Sequence, residues 1–214
     1  MGGAEWQDGC TFDAELLAAS GGDDVLVLPT AAAYEHPDRA VETARAWFAG
    51  LGGAVGSVPV LARADAGDEG TAATVRDARF IYLSGGSPLH LRSVLKETLV
   101  WDALVAAWED GAVVAGSSAG AMALCDPMVD PRGGALTVGL GLVENLAVVP
   151  HADEDIATHH RRTLELAGDD LVVAAIAERT ALLRDPDGTW RVTGAGAVTV
   201  LLGGREVGLD ALPG

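Results

Sequence analysis

The chain has 214 residues, of which 14 are basic and 31 are acidic, so its formal net charge is −17. Hydrophobic residues make up 49% of the sequence and charged residues 21%, which is typical of a globular protein and excludes a disordered one. Because a surface of this sign repels phosphate backbones and anionic lipid, the composition argues against nucleic acid and membrane surfaces as partners.

The length suits one domain, and no internal repeat or low-complexity linker divides residues 1–214. The two cysteines, Cys10 and Cys125, are far apart and form neither a metal-ligand pair nor a disulfide framework. This pattern predicts a reducing, cytoplasmic location. No charged segment followed by an apolar one opens the sequence, so no signal peptide is expected.

Short apolar runs alternate with helical patterns along the first half of the chain. The apolar runs predict strands at 24–30, 54–61, 79–86 and 112–116. The segments between them predict helices at 38–53, at 68–78 and, as one helix or two, at 87–111. Because the strands are continuously apolar, a three-layer α/β fold is expected, with a mostly parallel sheet and helices on both faces.

The pattern changes near the C-terminus, beginning at Ala181. An apolar run, the turn sequence at 185–188 and a second apolar run predict an antiparallel hairpin. The last apolar run, ending at Leu202, predicts a further strand at the end of the sheet.

The segment 116–120, Gly-Ser-Ser-Ala-Gly, fits the strand–G-x-S-x-G–helix pattern of a nucleophile elbow. A serine on such a sharp turn takes a strained backbone conformation, and glycine at both flanks avoids a clash. The turn lifts the Ser118 hydroxyl above the carboxyl end of the sheet and aims the Ala119 amide at an oxyanion, whereas Ser117 is expected beneath the turn. With 28 glycines in the chain, the pattern also fits a tight joint with no chemistry.

A second predicted strand ends at Gly85-Gly86, just before a helix. Two glycines at this place allow a backbone amide, taken here as that of Gly86, to turn toward the neighbouring strand end as a second oxyanion donor. The alternative is an ordinary strand-to-helix loop.

A serine hydroxyl needs a neighbouring base to become a nucleophile. His151 follows the apolar run 146–149 and therefore lies at a strand end, which makes it the favoured base by elimination. The other histidines fall at the start of predicted helices or within one: His36, His90, His159 and His160. Of the last two, His160 is predicted to be packed and His159 to be exposed. Metal binding by this pair is not expected, because no third ligand stands at a matching spacing.

With these residues in place, the sequence resembles the cyanophycinase / aspartyl dipeptidase (dipeptidase E) family of serine peptidases, which has a class I glutamine-amidotransferase-like, flavodoxin-like fold. The segment 80–124 resembles the family's strand–Gly-Gly–helix–strand–G-x-S-A-G-A core. The segment ending in Pro150-His151 resembles the one that carries the catalytic histidine. The segment "AIAERTALL" resembles the acid-bearing one.

The resemblance implies that Ser118 attacks, His151 shuttles the proton and Glu178 orients His151. It implies a small peptide substrate, no metal or other cofactor and, at the level of the family, a homodimer. Asp126 and Asp130 stay open as alternative triad acids, because their Pro- and Gly-rich stretch resembles one in the dipeptidase branch. Alternatively, these two aspartates brace the loop in which they lie.

Two features depart from the family pattern. The family has a strand before the first Gly-Gly, whereas here Gly2-Gly3 follow Met1 directly. Pro150 and Ala152 flank His151 where the cyanophycinase branch has glutamine and an aromatic residue. The Pro-His pair is closer to the dipeptidase branch.

The sequence therefore predicts a serine peptidase with exopeptidase-like action on a peptide or isopeptide bond, through an acyl-enzyme. Two alternatives are open. One is an α/β-hydrolase esterase, which shares the elbow but has the chain order Ser, acid, His. The other is a catalytically inactive ligand-binding or assembly protein on the same scaffold.

Overall fold

The computed structural model of the chain describes residues 1–153 and 160–214. Its strands are β1 (Asp24–Leu28), β2 (Ala54–Ser57), β3 (Phe80–Leu83), β4 (Val113–Gly116), β5 (Cys125–Asp126), β6 (Met128–Val129), β7 (Leu136–Thr137), β8 (Val143–Glu144), β9 (Leu146–Val149), β10 (Val172–Ile176), β11 (Thr180–Arg184), β12 (Trp190–Gly194), β13 (Val198–Leu202) and β14 (Arg205–Val207). Its α-helices are α1 (Phe12–Ala19), α2 (Pro37–Gly50), α3 (Glu69–Arg76), α4 (Pro88–Leu95), α5 (Leu99–Glu109), α6 (Ala119–Leu124) and α7 (Arg161–Ala167).

Eight of the described strands form two four-stranded sheets, in the orders β2-β1-β3-β4 and β14-β13-β10-β9. The first sheet is parallel throughout, with Leu26 paired to Ile81 and Ile81 to Val114. In the second sheet β9 and β10 are parallel, and β13 and β14 extend it in the antiparallel sense. Strands β11 and β12 form the antiparallel hairpin. The predicted α/β fold with a mostly parallel sheet is confirmed.

Strand β3 shows why the apolar runs of the sequence become central strands. All four of its side chains are fully buried, because helices cover both of its faces. Ile81 and Leu83 belong to the apolar cluster that includes α4 and α5, and Phe80 and Tyr82 belong to the cluster that includes α1 and α2. Burying one such side chain contributes about 1.5–3 kcal/mol.

The predicted helical stretch 87–111 is two helices. Helix α4 ends at Leu95, and Glu97 then takes a left-handed conformation with φ of 57°. The Thr98 hydroxyl accepts a hydrogen bond from the Trp101 amide (3.3 Å) and caps the start of α5. The turn at Glu97 thus separates two helices that share one apolar pattern.

The structure places His160 immediately before a helix and not inside one. Helix α7 starts at Arg161, so that His160 lies at its N-cap and is only half-buried. The prediction that His159 is exposed lies outside the described residues.

The first residues of the chain join the two sheets. The Met1 nitrogen donates to the Gly116 carbonyl (2.9 Å), and the Met1 carbonyl accepts from the Ser118 amide (3.0 Å), at the end of β4. On the other side, the Gly2 carbonyl accepts from the His151 amide (2.8 Å), just beyond β9. Main-chain hydrogen bonds therefore link the carboxyl ends of strands from both sheets.

Candidate active site

Ser118 lies on the sharp turn between β4 and α6. Its backbone has φ of 47° and ψ of −106°, a region that residues with a side chain rarely occupy. The flanking glycines permit the turn, since a Cβ on Gly116 would lie 2.5 Å from the Gly120 carbonyl carbon. A Cβ on Gly120 would lie 2.4 Å from the Leu83 carbonyl oxygen. The strand, the strained serine and the helix have the geometry of a nucleophile elbow.

Three side chains form one continuous hydrogen-bonded chain at this turn. Ser118 Oγ is 2.8 Å from His151 Nε2, and His151 Nδ1 is 3.0 Å from Glu178 Oε1. They follow β4, β9 and β10, whose carboxyl ends meet at one edge of the molecule, as ligand sites of α/β folds do. In this arrangement an imidazole can take the serine proton on Nε2 while a carboxylate holds its Nδ1–H.

Solvent can reach this chain of side chains. The side chains of His151 and Glu178 are 49% and 41% exposed, respectively. Asp153 adds a further contact, because its Oδ2 accepts a hydrogen bond from the Glu178 amide (3.1 Å). The carboxylate of Glu178 is thus held on a loop that is open to water yet anchored through its backbone.

The backbone of the same three loops is held by consecutive carbonyls of the N-terminal segment. The bonds are Ser118 N to Met1 O (3.0 Å), His151 N to Gly2 O (2.8 Å) and Arg179 N to Gly3 O (2.9 Å). Gly3 has φ of 125°, and a Cβ there would lie 2.3 Å from His151 Cε1. Only glycine therefore leaves room for the imidazole in its present position.

The Gly86 amide lies on the loop that follows β3, and the Ala119 amide lies at the start of α6, just beyond the paired strand β4. Within residues 1–153 and 160–214, neither amide donates a hydrogen bond to another group of the chain. An unpaired amide is what an oxyanion donor needs. Gly86 has φ of 134°, and a Cβ there would lie 2.3 Å from the Ala31 carbonyl oxygen, so the loop requires glycine.

Glu5 is a residue of the site that the sequence patterns did not indicate. Its Oε1 accepts from the Gly85 amide (2.9 Å), and its Oε2 accepts from the Ser117 hydroxyl (2.8 Å). Ser117, predicted beneath the turn, is fully buried. The signal in the sequence was an acidic residue inside a glycine-rich N-terminal stretch, but its partners lie 80 and 112 positions away.

The two alternative acids serve other contacts. Asp126 Oδ1 accepts from the Gly139 amide (2.9 Å). Both carboxylate oxygens of Asp130 accept from the Arg132 guanidinium, which lowers the pKa of Asp130 to about 2. In the described part of the chain, neither of them contacts His151. Asp126 connects β5 to the loop between β7 and β8, and Asp130 braces the turn between β6 and β7.

Buried titratable groups lie beneath the site. Burial raises the pKa of Asp13 to about 7, although a hydrogen bond from Trp47 Nε1 (2.9 Å) opposes the shift. Burial also raises the pKa of Cys10, and it raises that of Cys125 to about 12. Because the thiolate is the nucleophilic form of cysteine, these cysteines are poor nucleophiles at neutral pH.

No three or more histidine, cysteine, aspartate or glutamate side chains in the described ranges are grouped closely enough to hold a metal ion. Among the helices of residues 1–153 and 160–214, none combines the length and apolarity needed to cross a bilayer.

Comparisons with known proteins agree on one family. The model of "Peptidase family S51" matches residues 2–190. The cyanophycinases of Synechococcus elongatus and Thermosynechococcus vestitus (strain NIES-2133 / IAM M-273 / BP-1) are each 30% identical to the chain over 195 residues, which is 85% of this chain. The chain spans 60% of the length of these curated relatives.

One solved structure is similar along nearly the whole chain. It is the crystal structure of a peptidase from an acI-B1 Actinobacterium, with 30% sequence identity and a TM-score of 0.85. The match covers 97% of this chain and 91% of the other.

Proposed function

The chain belongs to peptidase family S51, and on this premise we propose that it is a serine peptidase that hydrolyses a small peptide or isopeptide bond through an acyl-enzyme. The family resemblance stated from the sequence is thereby confirmed. The observation that carries the proposal is the continuous hydrogen-bonded chain from Ser118 Oγ through His151 to Glu178. It is supported by the amides of Gly86 and Ala119, which have no hydrogen-bond partner in the described part of the chain.

In the first half of the proposed reaction, Ser118 Oγ attacks the carbonyl carbon while His151 Nε2 takes the hydroxyl proton. The carbonyl oxygen becomes an oxyanion that accepts hydrogen bonds from the Gly86 and Ala119 amides. Glu178 keeps the Nδ1-protonated tautomer of His151 and stabilises the imidazolium. The amide C–N bond then breaks, and the imidazolium gives its proton to the leaving amine.

In the second half, water attacks the ester carbonyl of the acyl-enzyme. His151 takes a proton from this water, and the same two amides stabilise the second oxyanion. When the C–O bond to the enzyme breaks, His151 returns its proton to Ser118 Oγ. The product is a carboxylic acid, and the free enzyme is restored.

The chain order of the three contacting side chains favours this proposal over the esterase alternative. The order is Ser118, His151, Glu178, whereas α/β-hydrolases have the acid before the histidine. Exopeptidase-like action on short substrates is supported by the family alone. A homodimer and a cytoplasmic location stay predictions.

Hydrolysis of a panel of Asp-, Glu- and β-linked dipeptides by the wild type and by Ser118→Ala tests the proposal. Release of free amine should be measurable for at least one member of the panel. The activity should fall by about 10⁴-fold or more in the variant, because the nucleophile is missing. Hydrolysis that persists unchanged in Ser118→Ala contradicts the proposal. A folded wild type that cleaves no dipeptide and is not labelled by a serine-directed phosphonate supports the inactive alternative.

A further inference from the structure

The carboxylate of Glu5 connects two loops of the site. Its Oε1 accepts a hydrogen bond from the Gly85 amide (2.9 Å), and its Oε2 accepts one from the Ser117 hydroxyl (2.8 Å). Gly85 immediately precedes Gly86, and Ser117 is two residues before Ala119. One rigid carboxylate group thus spans the two loops that carry the proposed oxyanion donors.

The loop at Gly85-Gly86 has few other restraints. The amides of Ser84 and Ser87 donate to the carbonyls of Leu28 and Ala31 (3.3 and 2.8 Å), which hold the two ends of the loop. Between them, the Gly85 amide bonds to Glu5, and the Gly86 amide has no partner among the described residues. Because glycines are conformationally permissive, the bond to Glu5 restrains how this loop presents the Gly86 amide.

The other oxygen of Glu5 holds the underside of the elbow. Ser117 is fully buried, and Glu5 is the acceptor for its hydroxyl. A buried hydroxyl without an acceptor is costly, so this bond ties the turn that contains Ser118 to the N-terminal segment. The carbonyls of residues 1–3 in the same segment bond to the amides of Ser118, His151 and Arg179.

We propose that Glu5 is a positioning residue that holds the Gly86 and Ala119 amides at the separation required to bind an oxyanion. The inference rests on the proposed function. Glu5 contacts neither the substrate nor the reacting atoms in this role. Its loss lets the two donors move apart, which weakens transition-state binding and leaves ground-state binding nearly unchanged.

The kinetics of labelling by a fluorophosphonate probe test the proposal, because phosphonylation of a serine also places negative charge on an oxygen in the oxyanion site. Glu5→Ala should lower the maximal labelling rate by about 10- to 100-fold, while the half-saturating probe concentration changes by about 2-fold or less. Asp8→Ala is the matched control, since Asp8 is an exposed acid on the same segment. Its labelling should equal that of the wild type.

Glu5→Gln tests whether the position of the side chain or its negative charge matters, because it keeps the size of the side chain and removes the charge. The glutamine amide oxygen can accept from the Gly85 amide while its NH₂ group donates to Ser117 Oγ. This variant should therefore keep a labelling rate within about 5-fold of the wild type. A Glu5→Ala rate equal to that of the wild type overturns the proposal. It is also overturned if Glu5→Gln is as slow as Glu5→Ala.

Hydrogen–deuterium exchange provides a readout that needs no activity. In Glu5→Ala the amides of residues 84–87 should exchange faster than in the wild type and Glu5→Gln, and unchanged exchange overturns the proposal. If the wild type is not labelled at all, the proposed function fails, but exchange still decides whether Glu5 restrains the loop. If Glu5→Ala does not fold, Ser117→Ala removes one of the two bonds and should show a smaller loss of labelling rate.

Discussion

Ser118, His151 and Arg179 have φ of 47°, 55° and 53°, which costs about 1–2 kcal/mol for each residue that carries a Cβ. These are also the three residues whose amides bond to the carbonyls of residues 1–3. A hydrogen bond of this kind contributes about 1 kcal/mol. The bonds to the N-terminal segment therefore offset part of the backbone strain in the loops that carry Ser118, His151 and Glu178.

Gly3→Ala should displace the imidazole of His151. The added methyl would lie 2.3 Å from His151 Cε1, and the ring must move to relieve the contact. Labelling of Ser118 by the fluorophosphonate should fall by about 10²-fold, because proton transfer depends on ring position to within about 1 Å.

Gly21→Ala is the control for backbone strain alone. Gly21 also has a positive φ, of 69°, but an added Cβ there meets nothing within 4 Å. This variant should lose about 1 kcal/mol of stability and keep the wild-type labelling rate. Equal labelling of Gly3→Ala and Gly21→Ala would show that Gly3 does not position His151.

Glu178→Gln should lower the rate of hydrolysis or labelling by about 10³- to 10⁴-fold, because the amide no longer favours the Nδ1-protonated tautomer or stabilises the imidazolium. Asp126→Asn is the matched control, since asparagine can still accept the hydrogen bond from the Gly139 amide. If the rate fell strongly in Asp126→Asn and only slightly in Glu178→Gln, Asp126 and not Glu178 would be the triad acid.

At the scale of elements, the elbow depends on the close approach of α6 to β3 and β4. Helix α6 starts directly after the strained serine, and its residue Gly120 lies against the backbone of β3. A helix in this position brings the Ala119 amide near the carboxyl end of the sheet. The packing of one short helix therefore sets the positions of both the proposed nucleophile and one proposed donor.

Gly120→Ala should destabilise the protein by about 1–3 kcal/mol or more, because its Cβ would lie 2.4 Å from the Leu83 carbonyl oxygen, and relieving this contact requires the backbone to move. Gly70→Ala in α3 is the matched control, since its Cβ would meet only the carboxylate of Asp68, at 3.3 Å. That variant should stay within about 1 kcal/mol of the wild type. Urea unfolding measures both, and equal stability of the two variants would contradict the account.

The sequence alone predicted the elements that are determined by a local residue pattern. The apolar run at β3, the glycines of the elbow and the turn of the β11–β12 hairpin each carry their own signal. Helix ends were less predictable, as the break at Glu97 inside an apolar pattern shows. Glu5 was missed because its bonds to Gly85 and Ser117 depend on how distant segments meet in the fold.

At the scale of the whole molecule, stability responds to the buried Asp13. This side chain is fully buried in the cluster that includes α1 and α2, and its Oδ1 has no hydrogen-bond partner among the described residues. Burial disfavours the carboxylate form and raises the pKa of Asp13 from 3.8 to about 7. The folded state therefore holds a proton that the unfolded state releases between these two values.

Because the pKa of Asp13 is raised in the folded state, the stabilisation from its bound proton is greatest below about pH 4. This stabilisation is lost as the pH rises to about 7. In Asp13→Asn this loss is absent, because the amide stays neutral and its oxygen can still accept from Trp47 Nε1. The free energy of unfolding of Asp13→Asn relative to the wild type should rise between these pH values, by at most about 1.4 kcal/mol per pH unit. Urea unfolding across this range measures it, and a difference that does not change with pH would contradict the raised pKa.

The central claim is that Ser118, and not its neighbour Ser117, forms the covalent intermediate. Peptide mapping by mass spectrometry of the fluorophosphonate-treated wild type tests this claim most directly. One adduct is expected, located on Ser118 and absent from Ser118→Ala. An adduct on Ser117, or a folded wild type that carries no adduct on Ser118, would contradict it.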